Sequence, residues 1–400
     1  DLLNEMRIQL ELQYPCKGLL TGHRGAGKSS ALTKLSQTLE DRKRLWVVHF
    51  SILDKLDLND LTYVDIIFLM AAEIVQSCVD RQIDLSGHDQ RLQTWVQEVE
   101  IIKEEEQSSS LAAASEAKLS TPKLGWVTLP VQAFLSVSGK VGKEVSTRTT
   151  VREQLEPQFS ELLGIIDDIQ QAVFATTQKR VACLVDGLDK ASIETAENLF
   201  YQNGFSLTAP HCSIIYAFPI ALRHSQNFNQ IAPYFGNKIF MLPNFKVQLP
   251  KKKIHNAELE TQQAELEKAA GIKQLGEVIT RRVEYHLFDD DALEKLVYFS
   301  GGIVRTAIAL AQNASIKALV KDASKVTVQH VEDAIAEERR SFGSILSNKQ
   351  KDLLAQVKET ETIDADPEAG YLDLLHNLSV IQYSNGNDWY GVSPIAAQLL

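Results

Sequence analysis

Short apolar runs bounded by turn residues alternate, up to about Pro250, with longer segments whose apolar positions recur every three to four residues. Five runs stand out: Lys17 to Thr21, Trp46 to Phe50, Val181 to Asp186, Ser213 to Phe218 and Lys238 to Leu242. Near-continuous hydrophobicity is the mark of strands covered on both faces. Their alternation with helix-length segments predicts an α/β fold, a five-stranded parallel sheet joined by crossover helices.

About 130 residues separate the second run from the third, far more than one crossover uses. An insert is therefore expected at about 85–150. Leu58 to Arg81 has helical spacing, through Leu61, Val64, Ile67, Phe68, Ala71, Ile74 and Val75. Glu104 to Lys123 is rich in Ser, Ala and Glu, a composition too poor in apolar surface to order itself, and predicts a mobile linker. Val131, Ala133, Leu135 and Val137 alternate with their neighbours and predict one strand of a small ribbon. Pro157 to Thr176 predicts a long amphipathic helix leading into the third strand.

Beyond Pro250 the strand pattern stops. Asp289 to Ser300 opens with acids, which suit a helix amino terminus, and ends at Gly301-Gly302. Ile303 to Leu319 and Val328 to Glu338 predict two more helices, the latter with Thr327 as N-cap. From Asn348 the order is helix, linker, helix (Tyr371 to Ile381), then a turn at Asn385-Gly386-Asn387 joining two extended pieces, which is a winged-helix pattern. The expected domains are a core over residues 1–250, a helical lid over 251–340 and a winged helix over 341–400.

A formal charge of −11 argues against a protein whose main task is coating nucleic acid or an anionic membrane. No apolar run approaches the roughly 20 residues of a membrane-spanning helix, and the first residues lack a signal peptide's layout. Cys16, Cys78, Cys183 and Cys212 show no metal-binding spacing and are expected to be reduced and buried, which fits a cytoplasmic location. The chain begins at Asp1 without a Met, as a fragment would.

Gly22-His23-Arg24-Gly25-Ala26-Gly27-Lys28-Ser29 matches G-x-x-x-x-G-K-[ST] at every fixed position, after an apolar strand and before a helix-compatible run that begins with Ser29 and Ser30. The glycines let the backbone curl so that successive N–H groups point at a β-phosphate, and the helix dipole adds positive potential. Lys28 supplies a point charge to the β/γ oxygens and Ser29 a hydroxyl to Mg²⁺. ATP with Mg²⁺ is the expected cofactor, held by residues 22–30. An acidic partner should end a neighbouring strand. Asp186, closing VACLVD, is the expected metal-shell residue. Asp189 either polarises the attacking water or caps the next helix.

These motifs, with the helical segment carrying SGGIVR and the terminal winged helix, resemble the AAA+ and STAND branches of the P-loop ATPases. VDGLD is similar to the hhhhDGxD form of NACHT-type and KAP-type STAND proteins. Standard AAA+ proteins place a Glu directly after the metal Asp, where Gly187 stands here; the resemblance therefore implies slow hydrolysis. SGGIVR is similar to the second sensor motif of origin-recognition-type ATPases. That similarity implies a role for Arg305 at the γ-phosphate, its alternative being an exposed residue at a helix start. Arg223, past the fourth strand, is the nearest cation to the first sensor position, as sensor or as a finger acting on a neighbouring subunit. Arg281, Arg282, Arg148 and Arg152 are further finger candidates, each with a solvated charge as the commoner reading.

From Ser341 to Leu400 there are three lysines, no arginines and eight acids. So acidic a module repels phosphates, which disfavours DNA as its ligand. The STAND resemblance implies a packing element instead, and makes His376 comparable to the winged-helix His that contacts nucleotide in some STAND proteins, although an ordinary helix His fits as well. Lys251-Lys252-Lys253 is either a solvated face or a phosphate or partner contact. Two functions follow. One is a nucleotide-operated switch in signalling or defence, with self-association or an effector as partner. The other is a nucleic-acid-associated ATPase of the initiator or transposition-regulator kind.

Overall fold

A computed structural model of the chain describes residues 2–95, 128–141, 145–250, 257–283, 285–364, 370–384 and 388–400. The linker at Glu104 to Lys123, the run Lys251 to Lys253 and the turn Asn385 to Asn387 lie outside them. The chain divides into two compact units that interleave in sequence: residues 1–19, 29–217 and 229–240 form one, and residues 20–28, 218–228 and 241–400 the other.

The first unit carries most of a five-stranded parallel sheet: β1 (Lys17–Gly22), β2 (Leu45–Ser51), β3 (Arg180–Asp186), β4 (Ser213–Pro219) and β5 (Ile239–Met241), in the order β2-β3-β4-β1-β5. The order places β1 between β4 and β5, and the chain passes from the first unit to the second within it, at Leu19–Leu20. All seven β4 residues are buried, as are all of β3 but Arg180, which is why both read as unbroken apolar runs. In the β2–β3 register Ser51 stands opposite Asp186. The four cysteines are buried and free.

Helices α1 (Leu2–Leu12), α2 (Lys28–Arg42), α3 (Tyr63–Asp80), α4 (Leu129–Val141), α5 (Val145–Leu155) and α6 (Phe159–Thr177) surround this sheet in sequence. The segment expected as a ribbon strand is helix α4. Its alternating residues conceal a three-to-four spacing, Val131, Phe134, Val137 and Val141, and these four are the buried ones. Pro130 stands in its first turn, where a missing N–H costs nothing. Phe134 joins Phe68 of α3 and Trp95 in an aromatic triad with ring centroids 5.2 to 5.4 Å apart. Arg152 of α5 donates to both carboxylate oxygens of Asp65, with Nη2 to Oδ2 at 2.6 Å, and to Asp60. Asp65 in turn accepts from the Thr62 backbone N–H in the α3 capping box. Arg148 is buried and reaches the Asp60 carbonyl. Both arginines therefore belong to a structural ion network, and neither is a solvated charge.

Four short α-helices follow the sheet's later strands or connect them: α7 (Ile193–Glu197), α8 (Gly204–Thr208), α9 (Ile220–Arg223) and α10 (Phe228–Tyr234). The second unit continues with α11 (Ala257–Thr280), α12 (Asp290–Phe299), α13 (Val304–Val320) and α14 (Val328–Ile345) around Leu275, Leu296, Leu310 and Val331. The winged helix comprises α15 (Asn348–Thr360), α16 (Tyr371–His376) and the antiparallel pair β6 (Val380–Ser384) and β7 (Asp388–Val392). The helix expected over Tyr371 to Ile381 stops at His376, and Leu378 takes a left-handed φ of 67° before β6 begins. Among the described residues no helix is long and apolar enough to cross a membrane.

Candidate functional site

The P-loop backbone turns on Gly22, Gly25 and Gly27, all with positive φ. Lys28, 4% exposed, donates from Nζ to the carbonyls of Gly22 at 2.6 Å and His23 at 2.9 Å. The ammonium is thus folded onto its own loop. Ser29 and Ser30, at the start of the 15-residue α2, are exposed.

Successive P-loop residues are held by other parts of the second unit. Gly25 accepts at its carbonyl from the Arg305 backbone N–H at 3.1 Å. A Cβ on Gly25 would stand 2.6 Å from the Arg305 Cβ, so only glycine tolerates that approach. Gly301 and Gly302 make the turn that delivers Arg305 into α13. Their φ angles are 66° and 81°, and a Cβ on Gly302 would lie 1.8 Å from the Phe245 carbonyl oxygen. Arg305 is exposed and makes no ion pair among the described residues.

Arg24 donates from Nη1 to His376 Nε2 at 3.1 Å, which requires a neutral His376 with its proton on Nδ1. His23, wholly buried, accepts at Nε2 from the Gln382 backbone N–H at 2.8 Å. Burial above all, then the Lys28 ammonium and the nearby His224, push the His23 pKa down to about 3. The ring is therefore the neutral acceptor that this hydrogen bond demands.

Gln382 is gripped from three sides. Besides His23, its carbonyl accepts from Asn244 Nδ2 at 3.0 Å and its Oε1 from His224 Nε2 at 3.0 Å. His224 Nδ1 accepts from the Tyr390 hydroxyl at 3.2 Å, and burial lowers the His224 pKa. Its neighbour Arg223 lies 3.7 Å from Asp388 of β7. Gln382, His224, Asn244 and Tyr390 were not singled out from the sequence. The available signal was a lone amide inside the apolar run Val380 to Tyr383.

The first unit holds the acidic residues. Asp186 is 6% exposed, and its Oδ1 accepts from the Gly187 N–H at 2.8 Å. Gly187 has φ 96°, with Ser51 Oγ 3.3 Å from where a Cβ would lie. Asp189 is buried in the turn Leu188–Lys190 and does not cap the next helix; Ser192 does, accepting from the Thr195 N–H. The sequence had missed His49, on the same face of the sheet as Ser51. Burial lowers its pKa, against the pull of Asp186 and Glu40. In the second unit the glycine-turned loop with Lys28 offers the N–H groups and charge that a phosphate takes, and in the first unit Ser29 and Asp186 are a hydroxyl and a carboxylate of the kind that Mg²⁺ takes, so the residues of each unit fit their part of Mg–ATP. Arg281 and Arg282, just beyond α11, are exposed and make no ion pair among the described residues; Arg282 donates to the Val278 carbonyl.

No protein-family profile and no curated protein matches the chain. Among solved structures it is similar to Cdc6p from Pyrobaculum aerophilum, at 11% identity over 99% of this chain and 90% of that chain, with a TM-score of 0.41. It is similar also to the Aeropyrum pernix ORC2 protein in ADPNP–ADP complexes (10% identity, 99% and 88% covered, TM-score 0.42). A third likeness is to the Thermotoga maritima RuvB Holliday junction branch migration motor (13%, 99% and 90%, 0.37). The chain's own strand order and glycine-turned loop after β1 make it an α/β P-loop protein with a helical segment and a winged helix following the sheet.

Proposed function

We propose that the protein is an ATP-binding, slowly hydrolysing ATPase of the AAA+ kind that works with nucleic acid, and that its winged helix is a clamp on the P-loop, not a DNA reader. The observation that carries this reading is the grip on three successive P-loop residues: His23 by Gln382, Arg24 by His376 and Gly25 by Arg305. A phosphate in the loop needs the Lys28 ammonium, which here serves the Gly22 and His23 carbonyls. Nucleotide binding and clamp release therefore draw on the same few residues.

When bound, Mg²⁺ supplies charge neutralisation at the β- and γ-phosphates. The protein's part would be to orient. In the second unit the loop N–H groups and Lys28 would hold phosphate oxygens, and the guanidinium of Arg305, without an ion pair among the described residues, would answer charge at the γ-phosphate; in the first unit Ser29 and Asp186 would hold the metal and Asp189 would direct water. Gly187, where a Glu would strengthen the base, supports a slow rate.

The nucleic-acid setting is supported by the similarity of the SGGIVR segment to the second sensor motif of origin-recognition-type ATPases; its Ile303 and Arg305 make the close approach to Gly25. The DNA contact is assigned away from α16, because Tyr371, Leu372, Leu374 and Leu375 of that helix are buried and its first turn carries Asp373. Lys251 to Lys253 are the first residues to test.

Lys28→Ala should weaken ATP binding at least about a hundredfold by equilibrium titration, since a charge-assisted phosphate contact is lost. The protein loaded with a non-hydrolysable ATP analogue should bind duplex DNA with a steep salt dependence, and neutralising Lys251 to Lys253 should abolish it. No binding at low salt in any nucleotide state would remove the nucleic-acid reading and leave a switch that acts on proteins. Mass in solution with and without the analogue tests whether the nucleotide also drives self-association.

A further inference from the structure

Helix α13 buries Ala307, Leu310, Ala311, Ala314 and Ala318 and leaves a second apolar stripe outside. Ile316, Leu319 and Val320 are 55%, 72% and 77% exposed. Their spacing of three and four residues puts them on one face. Together they leave on the order of 400 Å² of apolar surface open, the size at which a patch marks an interaction site.

The stripe continues into a cavity of about 540 Å³, where Ile316 meets Ile279, Val283, Ile308 and Ala311. Arg282 is the one charged residue in that lining. Arg282 and the adjacent Arg281 make no ion pair among the described residues, whereas Lys317 of α13 and Lys321 just after it are matched, with Glu337 and Asp333. The result is an apolar groove with a cationic rim at one end that has no ion-pair partner among the described residues.

We infer that this groove between the end of α11 and α13 is a docking site for an amphipathic helix with an acidic flank, supplied by a partner protein. An apolar face on a helix fills the groove between Val283 and Ile316 and covers Leu319 and Val320, the mode in which one helix lies in another protein's groove. Carboxylates along its flank meet Arg281 and Arg282, which fixes the direction of docking and excludes basic helices. The inference uses no residue of the P-loop or its clamp, so it stands or fails independently of the ATPase reading.

The test uses the full chain and two fluorescent synthetic helices of about 20 residues, long enough to be helical in water. Both carry leucines at i, i+3, i+4 and i+7; the rest of one is mainly glutamate and of the other mainly lysine. Fluorescence anisotropy should show the acidic helix binding and the basic one not. The double variant Arg281→Glu/Arg282→Glu should reverse that preference, and Leu319→Asp should weaken the acidic helix roughly tenfold. Leu319 and both arginines are exposed, so these variants should keep the melting temperature and ATP affinity of the parent. Equal binding of both helices, binding untouched by the variants, or no binding at low salt would overturn the inference. So would sedimentation showing that the protein self-associates and that Leu319→Asp abolishes it, since the occupant would then be a second copy of the chain.

Discussion

His224→Phe isolates the clamp from the nucleotide-binding residues themselves. Phenylalanine fills the volume of the imidazole but removes the donor to Gln382 Oε1 at 3.0 Å and the acceptor of the Tyr390 hydroxyl at 3.2 Å. Gln382 is 1% exposed, so its Oε1 cannot find water in place of the lost partner. Two hydrogen bonds at about 1 kcal/mol each give a cost of about 2 kcal/mol, and the stranded amide oxygen makes this a lower figure. If β6 is the part that grips His23, that cost falls on the closed form alone and raises its opening equilibrium about 30-fold. Stopped-flow release of a fluorescent ADP analogue reads the change, with the melting temperature followed in parallel. Faster release by that order is expected. Release within about twofold of the parent, in a variant that melts measurably lower, would refute the reasoning, because β6 would then stabilise the fold without governing the loop.

Acid should weaken the fold before its carboxylates titrate. His23 is neutral when folded, with its pKa near 3, while an unfolded His takes a proton near pH 6.5. The stability tied to the neutral ring is whole above pH 6.5 and is lost as pH falls toward 3. By pH 4.5 the loss is on the order of 3 kcal/mol, visible as a falling urea midpoint that His23→Phe flattens. A flat midpoint in the parent would contradict a buried neutral His23. Gly302→Ala sets a Cβ at 1.8 Å from the Phe245 carbonyl oxygen at φ 81°, and should lower stability by more than about 3 kcal/mol or prevent folding, as read by circular dichroism. Arg152→Ala leaves Asp65, 3% exposed, without its cation and should cost about 3 to 5 kcal/mol in a denaturation curve. Arg152→Ala/Asp65→Ala should recover part of that loss.

The parallel sheet was legible because its strands are covered on both faces. All but one residue of β3 and all of β4 are buried, so no polar alternation obscures their bounds. The P-loop was legible for a different reason: positive φ at residues 22, 25 and 27 admits little but glycine. Helix α4 was misread because LPVQAFLSVSGKV satisfies two periods at once, and only its packing on Phe68 and Trp95 decides between them. The clamp was illegible because it depends on pairs far apart in sequence. Nothing local in HRG or VIQY announces that a histidine in one accepts from an amide in the other, 359 positions away.

The central claim is that nucleotide state sets the grip of β6 on the P-loop. Amide hydrogen exchange at Gln382, whose N–H donates to His23, measures that grip directly. The account predicts strong protection with Mg–ADP and exchange at least about tenfold faster with a non-hydrolysable Mg–ATP analogue. Equal protection with the two nucleotides, both bound at saturation, would contradict it.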